Sequence, residues 1–472
     1  MSAAVETLDS GRGRHPLALQ FAEFAASFSL DQVPSDVVEY AKLCIADTIG
    51  IGFASHRYDF ASASLRGISA LASDGDYPVV GTTLRLPVRD AAMANGLLMH
   101  GLDYDDTHTG AVIHCSTSAV PLVLAEGQRR GVTGAQALAA YLLAIETDAR
   151  IGMVAEGMLQ KIGFHPTGLV GIFGCSVAAG LLGGLPPQQM AMAQGVALSM
   201  ASGSLEFLED GSWTKRLHPG WAAASAIQAT SMAEHDFKAP LNAYEGRYGL
   251  YSLYLRADAV DTRETAATLG SEWEMNRVAI KPYPICHFNH ASVDSMLALV
   301  RDHGLTPDDI ESATVLLHDK QHDVVCRPEA AKRRPQNDYD AKFSVHFAVA
   351  AAAVRHRFTL EELADDALND PAILALADRI TFQHDDDSRY PEYYSGGIVV
   401  TTRDGRTLGH REPINRGADS RRLSATDVRE KFMANTVGHL SAAAATRLWD
   451  AIQSLDTAAN LDTVTASLCA EV

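Results

Sequence analysis

The sequence predicts a mainly α protein: a large all-α helical domain into which a smaller α+β domain is inserted. Three observations carry that reading. A chain of 472 residues with 47% hydrophobic content is too long for one ordinary core and suggests two domains. Helical spacing of apolar residues runs through most of the first 275 residues. Short β-type runs and a hairpin are confined to residues 276–412, after which helical spacing returns.

Residues 1–15, MSAAVETLDSGRGRH, are small and polar with no apolar run, and read as a disordered tail rather than a secretory leader. The helical domain is assigned to residues 16–275 plus 413–472. Ser35-Asp36 opens a helix whose Val37, Val38, Ala41, Cys44, Ile45 and Ile49 recur at helical spacing. Ala91–His100 and Trp221–Ala233 are Ala/Met-rich and lack strand alternation. Thr133-x-x-Gln136 is a capping-box pattern ahead of Ala137–Ile151. Pro166–Leu205 is forty residues without a charge, broken at Pro186-Pro187, so its length alone would allow a membrane hairpin. It has no flanking Lys/Arg asymmetry and no aromatic belt, and its Gly/Ala richness suits closely packed core helices.

The α+β domain is assigned to residues 276–412. Ala313–Leu317 and Ile380–Gln383 read as strands, and Gly397–Leu408 as a hairpin turning at Asp404-Gly405. Ala341–Val354 reads as a helix between them. Ser424-x-x-Asp427 then starts a helical return that reaches Leu455.

Composition excludes several functions. A formal charge of −19, from 39 basic and 58 acidic residues, argues against nucleic acid or an anionic membrane as partner. Six scattered cysteines without a C-x-x-C pair disfavour a zinc ribbon or an iron–sulfur cluster and suit a reducing cytoplasm. Dinucleotide, Walker, zincin and serine-hydrolase motifs are absent from the sequence.

Four stretches are too polar for their apolar surroundings. His100–His108 (HGLDYDDTH), followed by His114-Cys115, contains Asp103, Asp105 and Asp106. These carboxylates could hold a metal through oxygen ligands, or could cap neighbouring segments at a helix end. Two His-Pro pairs, His165-Pro166 and His218-Pro219, precede long uncharged helical runs. Proline suits a first helical turn, and a histidine there lies at the positive end of the helix dipole, where a carboxylate is favoured. Lys215 adds a full positive charge beside the second pair. The fourth stretch, Lys281–His290 (KPYPICHFNH), places two histidines at the domain boundary, where ligand sites concentrate; one of His287 and His290 need face the cleft. A protein at −19 that gathers His and Lys in this way is expected to bind a small di- or tricarboxylate, with Asp103 as an orienting group or an acid.

At these residues the sequence resembles the MmgE/PrpD family, which includes 2-methylcitrate dehydratase, cis-aconitate decarboxylase and iminodisuccinate epimerase. The segments are HGLDYDDTH (100–108), GFHPTG (163–168), DGSWTKRLHPGWAA (210–223), YEGRYGLY (244–251), KPYPICHFNH (281–290) and DAKFSVHFAVA (340–350). The resemblance implies a homodimer whose inserted domain is a lid, with an active site between domains and neither metal nor organic cofactor. It implies Asp103, His114, His165, Lys215 and His287 as catalytic residues and Thr107 and Lys281 as substrate-binding ones, with His290 as the alternative to His287; His218, of the second His-Pro pair, and His290 are also assigned to substrate binding. Cys115 stands where decarboxylase-like members have proline, and Cys326–Asp340 has no tyrosine at their expected position, Tyr339 being nearest. The expected activity is that of a hydro-lyase on a hydroxy-polycarboxylate similar to 2-methylcitrate. His165 or His114 would remove a proton α to a carboxylate, and Lys215 and Lys281 would hold the developing charge. Epimerisation of an iminodisuccinate-like acid, decarboxylation of a cis-aconitate type, and non-catalytic carboxylate binding are the alternatives.

Overall fold

The computed structural model describes residues 15–255 and 260–469, so residues 1–14 of the expected tail lie outside the described residues. Helices dominate the first half: α1 (Leu17–Ser27), α2 (Ser35–Ala54), α3 (Val88–Met99), α4 (Ser116–Arg130), α5 (Gly134–Val154), α6 (Pro166–Leu182), α7 (Pro187–Leu198) and α8 (Thr214–Glu234). Their starts follow local chemistry. Thr133 and Gln136 form the expected capping box on α5, and Pro166 and Pro187 occupy first-turn positions where no N–H is needed.

The charge-free stretch forms α6 and α7, two buried helices, and no helix among the described residues is long and apolar enough to cross a membrane. Its glycines serve close packing: a Cβ on Gly174 of α6 would lie 2.4 Å from the Ala144 carbonyl oxygen of α5. Helix α6 thereby sits among α4, α5, α7 and α8 at the centre of the bundle.

Helix α8 departs from expectation. It begins at Thr214, so His218-Pro219 lies inside the helix instead of at its start. Pro219 can make no bond to the Lys215 carbonyl. The helix continues because the following residue, Gly220, packs on the α3 backbone, where a Cβ would come 2.2 Å from the Met93 carbonyl oxygen.

The second half contains α9 (His290–His303), β1 (Ile310–Leu317), α10 (Val345–Arg355), β2 (Ile380–His384), β3 (Gly396–Thr402) and β4 (Thr407–Glu412). The sheet order is β2-β1-β3-β4, with β2 parallel to β1 and the other pairs antiparallel. Val315 pairs with both Phe382 and Ile398, and Gly405, at φ +86°, closes the β3–β4 hairpin. The helix expected over Ala341–Val354 is broken at Ser344, whose side chain caps α10 at the Phe347 N–H. The chain ends in α11 (Ala425–Thr436) and α12 (Ala442–Gln453), split where a single helix was expected because Gly438 is left-handed and Ser441 caps a new start.

Buried apolar side chains fall into two main cores. One gathers residues from 17 to 280 with others from 423 to 468; the second gathers residues from 283 to 400. Two ties bring the acidic loop to the boundary between them. Thr107 and His108 pair antiparallel with Ala279 and Val278. The ammonium of Lys431, on α11, donates to the carbonyls of Tyr104 and Lys281, 2.9 Å each, and sits 2.7 Å from Asp47 of α2.

Candidate active site

A cavity of about 160 Å³ lies at this boundary. Asp103 enters it from the loop after α3, in a left-handed backbone conformation (φ +54°) that turns the chain sharply. Its carboxylate is held by two ammonium groups. Lys215, in the first turn of α8, is 2.5 Å from Oδ1. Lys281, two residues past the 278–279 strand, is 3.4 Å from the same oxygen and donates to the Asp103 carbonyl at 2.8 Å. Burial pushes the Asp103 carboxyl up, but Lys215 and then Lys281 outweigh it and hold the group well below the usual carboxylate range. All three side chains are nine-tenths or more buried, and the cluster carries one net positive charge.

Around it stand imidazoles. His114 lies just ahead of α4, its backbone N–H fixed by Thr167 Oγ1 at 3.1 Å, and its Nδ1 is 3.0 Å from Asp105 Oδ2 and 3.3 Å from Thr107 Oγ1. His165 is the residue before the first turn of α6, as expected, and its Nδ1 lies 2.9 Å from Nδ1 of His218. Burial and then the charge of Lys215 push His165 well below its ordinary value, so it is neutral at pH 7. Burial, then His290 and Lys281, do the same to His287. The His287 tautomer can be read from its partner. Asn415 Oδ1 accepts the Tyr394 N–H at 3.1 Å, so its Nδ2 is the atom that donates to His287 Nε2 at 2.9 Å. The His287 ring hydrogen is therefore on Nδ1, which has no hydrogen-bond partner among the described residues.

Of the nine residues expected in the site, Asp103, Thr107, His114, His165, Lys215, Lys281 and His287 line the cavity together. His218 and His290 do not line it. His218 stands behind His165, and His290 Nε2 is turned to the Ile285 carbonyl at 3.1 Å. His287 is thus the histidine of its loop that faces the cavity. Tyr339 packs against Arg216 and Phe343 outside the cavity, whereas Tyr390 and Tyr394 line it with Phe207, Phe288 and Phe343. Aromatic rings and cationic groups meet in this lining, Phe343 lying beneath the Lys215 ammonium and Phe207 against His165.

The three loop aspartates diverge. Asp103 takes the lysines, Asp105 takes His100 and His114, and Asp106 accepts from Ser116, with burial pushing its carboxyl to about 7. They do not form one oxygen cage. The donor atoms of His100, Asp105 and His114 do lie within 4.8 Å of one another, and they are already engaged: His100 Nδ1 donates to Asp105 Oδ2, and His114 Nδ1 lies 3.0 Å from the same oxygen and 2.9 Å from the Asp106 carbonyl oxygen. The sequence offers Asp105 only as a metal ligand or a cap, and leaves His100 and Asn415 unassigned. The first two had a signal, being in the acidic loop; Asn415 had none.

This is a two-core, mainly helical protein with a buried carboxylate–lysine–histidine site between cores. Residues 19–263 match the MmgE/PrpD N-terminal domain and residues 283–457 the MmgE/PrpD C-terminal domain, so the chain belongs to the MmgE/PrpD family. It is similar to the cis-aconitate decarboxylase-like protein oryM of Aspergillus oryzae, 23% identical, covering 93% of this chain and 94% of the relative. It is also similar to the cis-aconitate decarboxylases of Aspergillus terreus (25% identical; 84% and 86% covered) and Homo sapiens (26%; 92% and 89%).

Proposed function

We propose that the protein is a lyase for a small polycarboxylate, acting without metal or organic cofactor through a proton on the carbon next to a carboxylate. The observation that carries this is one ionised aspartate clamped between two ammonium groups and ringed by imidazoles on one side of a small buried cavity. The net positive charge and the dipole of α6 attract the anion. Lys215 and Lys281 stabilise the enolate-like charge that develops on its carboxylate.

In the dehydration reading, His114 Nε2 takes the α proton. The C–H electron pair passes into the carboxylate and then forms the C=C bond. The hydroxyl leaves from the β carbon as water, with its proton supplied by the N–H of His287 or by His165. A fixed lone pair on His114 favours abstraction as the first step, which suits a hydroxy acid resembling 2-methylcitrate. The second reading, decarboxylation, is favoured by the similarity to cis-aconitate decarboxylases. Proton NMR in D₂O with 2-methylcitrate, citrate, cis-aconitate and iminodisuccinate separates them. Loss of water is the expected result. Loss of CO₂ would move the assignment to the relatives' reaction, and deuterium exchange without a new skeleton would mean an epimerase. Tight binding without turnover would overturn the enzyme reading.

We extend the proposal to assembly as a homodimer. An apolar groove between α3, α8 and residues 64–71 carries Leu71, Trp213, Leu217 and Trp221, all exposed. On a chain of charge −19, this nearly charge-free face, with Arg89 beside Asp90 at its edge, is where a like-charged second copy meets least repulsion. Light scattering is expected to report a dimer, and Trp221→Glu a monomer; a monomeric parent protein would refute it. The six free cysteines, five of them buried, support a reducing compartment.

A further inference from the structure

Asp105 is wholly buried and does not line the cavity. Its Oδ2 is 2.9 Å from His100 Nδ1 and 3.0 Å from His114 Nδ1. His114 Nδ1 also lies 2.9 Å from the Asp106 carbonyl oxygen. A carboxylate and a carbonyl can only accept, so Nδ1 of His114 carries the hydrogen and Nε2 is left with a lone pair. His114 Nε2 is 4.0 Å from Asp103 Oδ1, beyond hydrogen-bond distance.

We propose that Asp105 is a positioning residue that holds His114 in the Nδ1–H tautomer and stabilises the imidazolium formed when Nε2 takes the substrate proton. The proposal rests on the reading of His114 as the base. Among the described residues no lysine or arginine makes an ion pair with Asp105, and its Oδ1 has no hydrogen-bond partner. A buried carboxylate whose direct partners are imidazoles, with the Lys431 ammonium acting on it only from beyond contact, is expensive, and a neutral amide could make the same bonds. The charge becomes useful when His114 turns cationic, so its benefit falls on the reaction and not on the resting fold.

His100 donates to the same oxygen and steadies it. Burial lowers His100 to about 4 against the pull of Asp105, so it does not itself compensate the charge. Burial pushes the Asp105 carboxyl up, yet His100 and then His114 hold it well below the usual range. The other titratable groups around the His114 ring are Asp103, with Asp106 beneath it; His165 at the start of α6; Lys215 on α8; and Lys281 and His287 from the boundary segment.

Asp105→Asn tests this, because an amide oxygen can replace Oδ2 while the amide nitrogen takes the place of the unpartnered Oδ1. Histidine is ¹⁵N-labelled, His114 is assigned by the His114→Gln spectrum, and its ring shifts are followed against pH. The expected wild-type ring is protonated at Nδ1. In the variant, the pH at which His114 takes up its second proton falls by about one unit or more. Turnover falls about 100-fold or more with KM within about threefold. An Nε2–H ring in the wild type, or an unchanged His114 titration in the variant, overturns the proposal, even if turnover and thermal stability fall together. The NMR arm needs no substrate. A wild type inactive on every acid therefore counts against the lyase reading, while the titration still decides the role of Asp105.

Discussion

Replacing Lys215 by methionine keeps the aliphatic stem and removes one of the two charges on Asp103. The carboxylate, 6% exposed, is left with Lys281 at 3.4 Å in place of a contact at 2.5 Å. Breaking a buried pair by deleting one partner costs about 3–5 kcal/mol when nothing else compensates. Because Lys281 remains, the expected loss is about 2–3 kcal/mol. For a chain of this length, the unfolding entropy makes that a fall in Tm of about 2–3 °C. Asp103→Asn alone leaves two ammonium groups facing each other and is also expected to destabilise. The double variant Lys215→Met/Asp103→Asn restores the net charge of the cluster, so its loss should be smaller than the sum of the two by about 2 kcal/mol or more. Urea unfolding of the four proteins at one concentration reads the coupling, and turnover is measured beside it. Turnover should stay lost in the double variant, since the ammonium proposed to meet the substrate is gone. Additivity within about 0.5 kcal/mol would refute the view that the three charges act as one cluster. Recovery of turnover would refute the role given to Lys215.

Gly220→Ala places a Cβ 2.2 Å from the Met93 carbonyl oxygen, so α8 must move off α3. A loss of about 1–3 kcal/mol by thermal unfolding is expected, together with a fall in kcat/KM, because α8 carries Lys215. Asp148 is wholly buried and accepts the Gly174 N–H at 2.8 Å, and burial pushes its carboxyl well above its ordinary value. A raised value in the folded state means stability that is present below about pH 4 and lost as pH rises. Asp148→Asn, neutral at every pH, should therefore gain on the wild type between pH 4 and pH 8 in paired melting curves; a parallel offset would count against it. Finally, citrate brings three negative charges to a clamp of one net positive charge ringed by neutral imidazoles. Binding at pH 7.5 should therefore take up about one proton, read by calorimetry in buffers of different ionisation enthalpy.

Local chemistry was readable from the sequence and long-range geometry was not. His165-Pro166 and the Thr133 capping box are settled within a few residues of chain, and the structure places both where the pattern puts them. The same dipeptide at His218-Pro219 misled, because the start of α8 is set upstream at Thr214 and the helix is held by the contact of Gly220 with α3. Asp103, Asp105 and Asp106 look alike in sequence. Their three directions come from the left-handed turn at Asp103 and from the pairing of Thr107 and His108 with a strand far along the chain. The choice between His287 and His290 likewise depends on the folded loop, which turns His290 Nε2 to the Ile285 carbonyl and leaves His287 on the cavity, and the His287 tautomer depends on Asn415, which no local pattern marks.

The site divides its work between fixed charge and movable protons. Two lysines and one aspartate form a buried cluster of one net positive charge, suited to hold an anion. The imidazoles supply the movable protons. Burial keeps His165 and His287 neutral, and the groups behind them (His218 for one, Asn415 for the other) bind one ring nitrogen each and leave the second nitrogen free of that bond. Dehydration, epimerisation and decarboxylation all need an anion held still while a proton is moved at the neighbouring carbon. The cluster supplies the first requirement identically for each. What distinguishes the reactions is which imidazole meets the substrate with a lone pair and which with an N–H, and that is decided by the residues behind the histidines. On the proposed function, divergence of reaction on this scaffold is expected at positions such as Asp105 and Asn415, which lie behind the cavity lining, while Asp103, Lys215 and Lys281 stay the same.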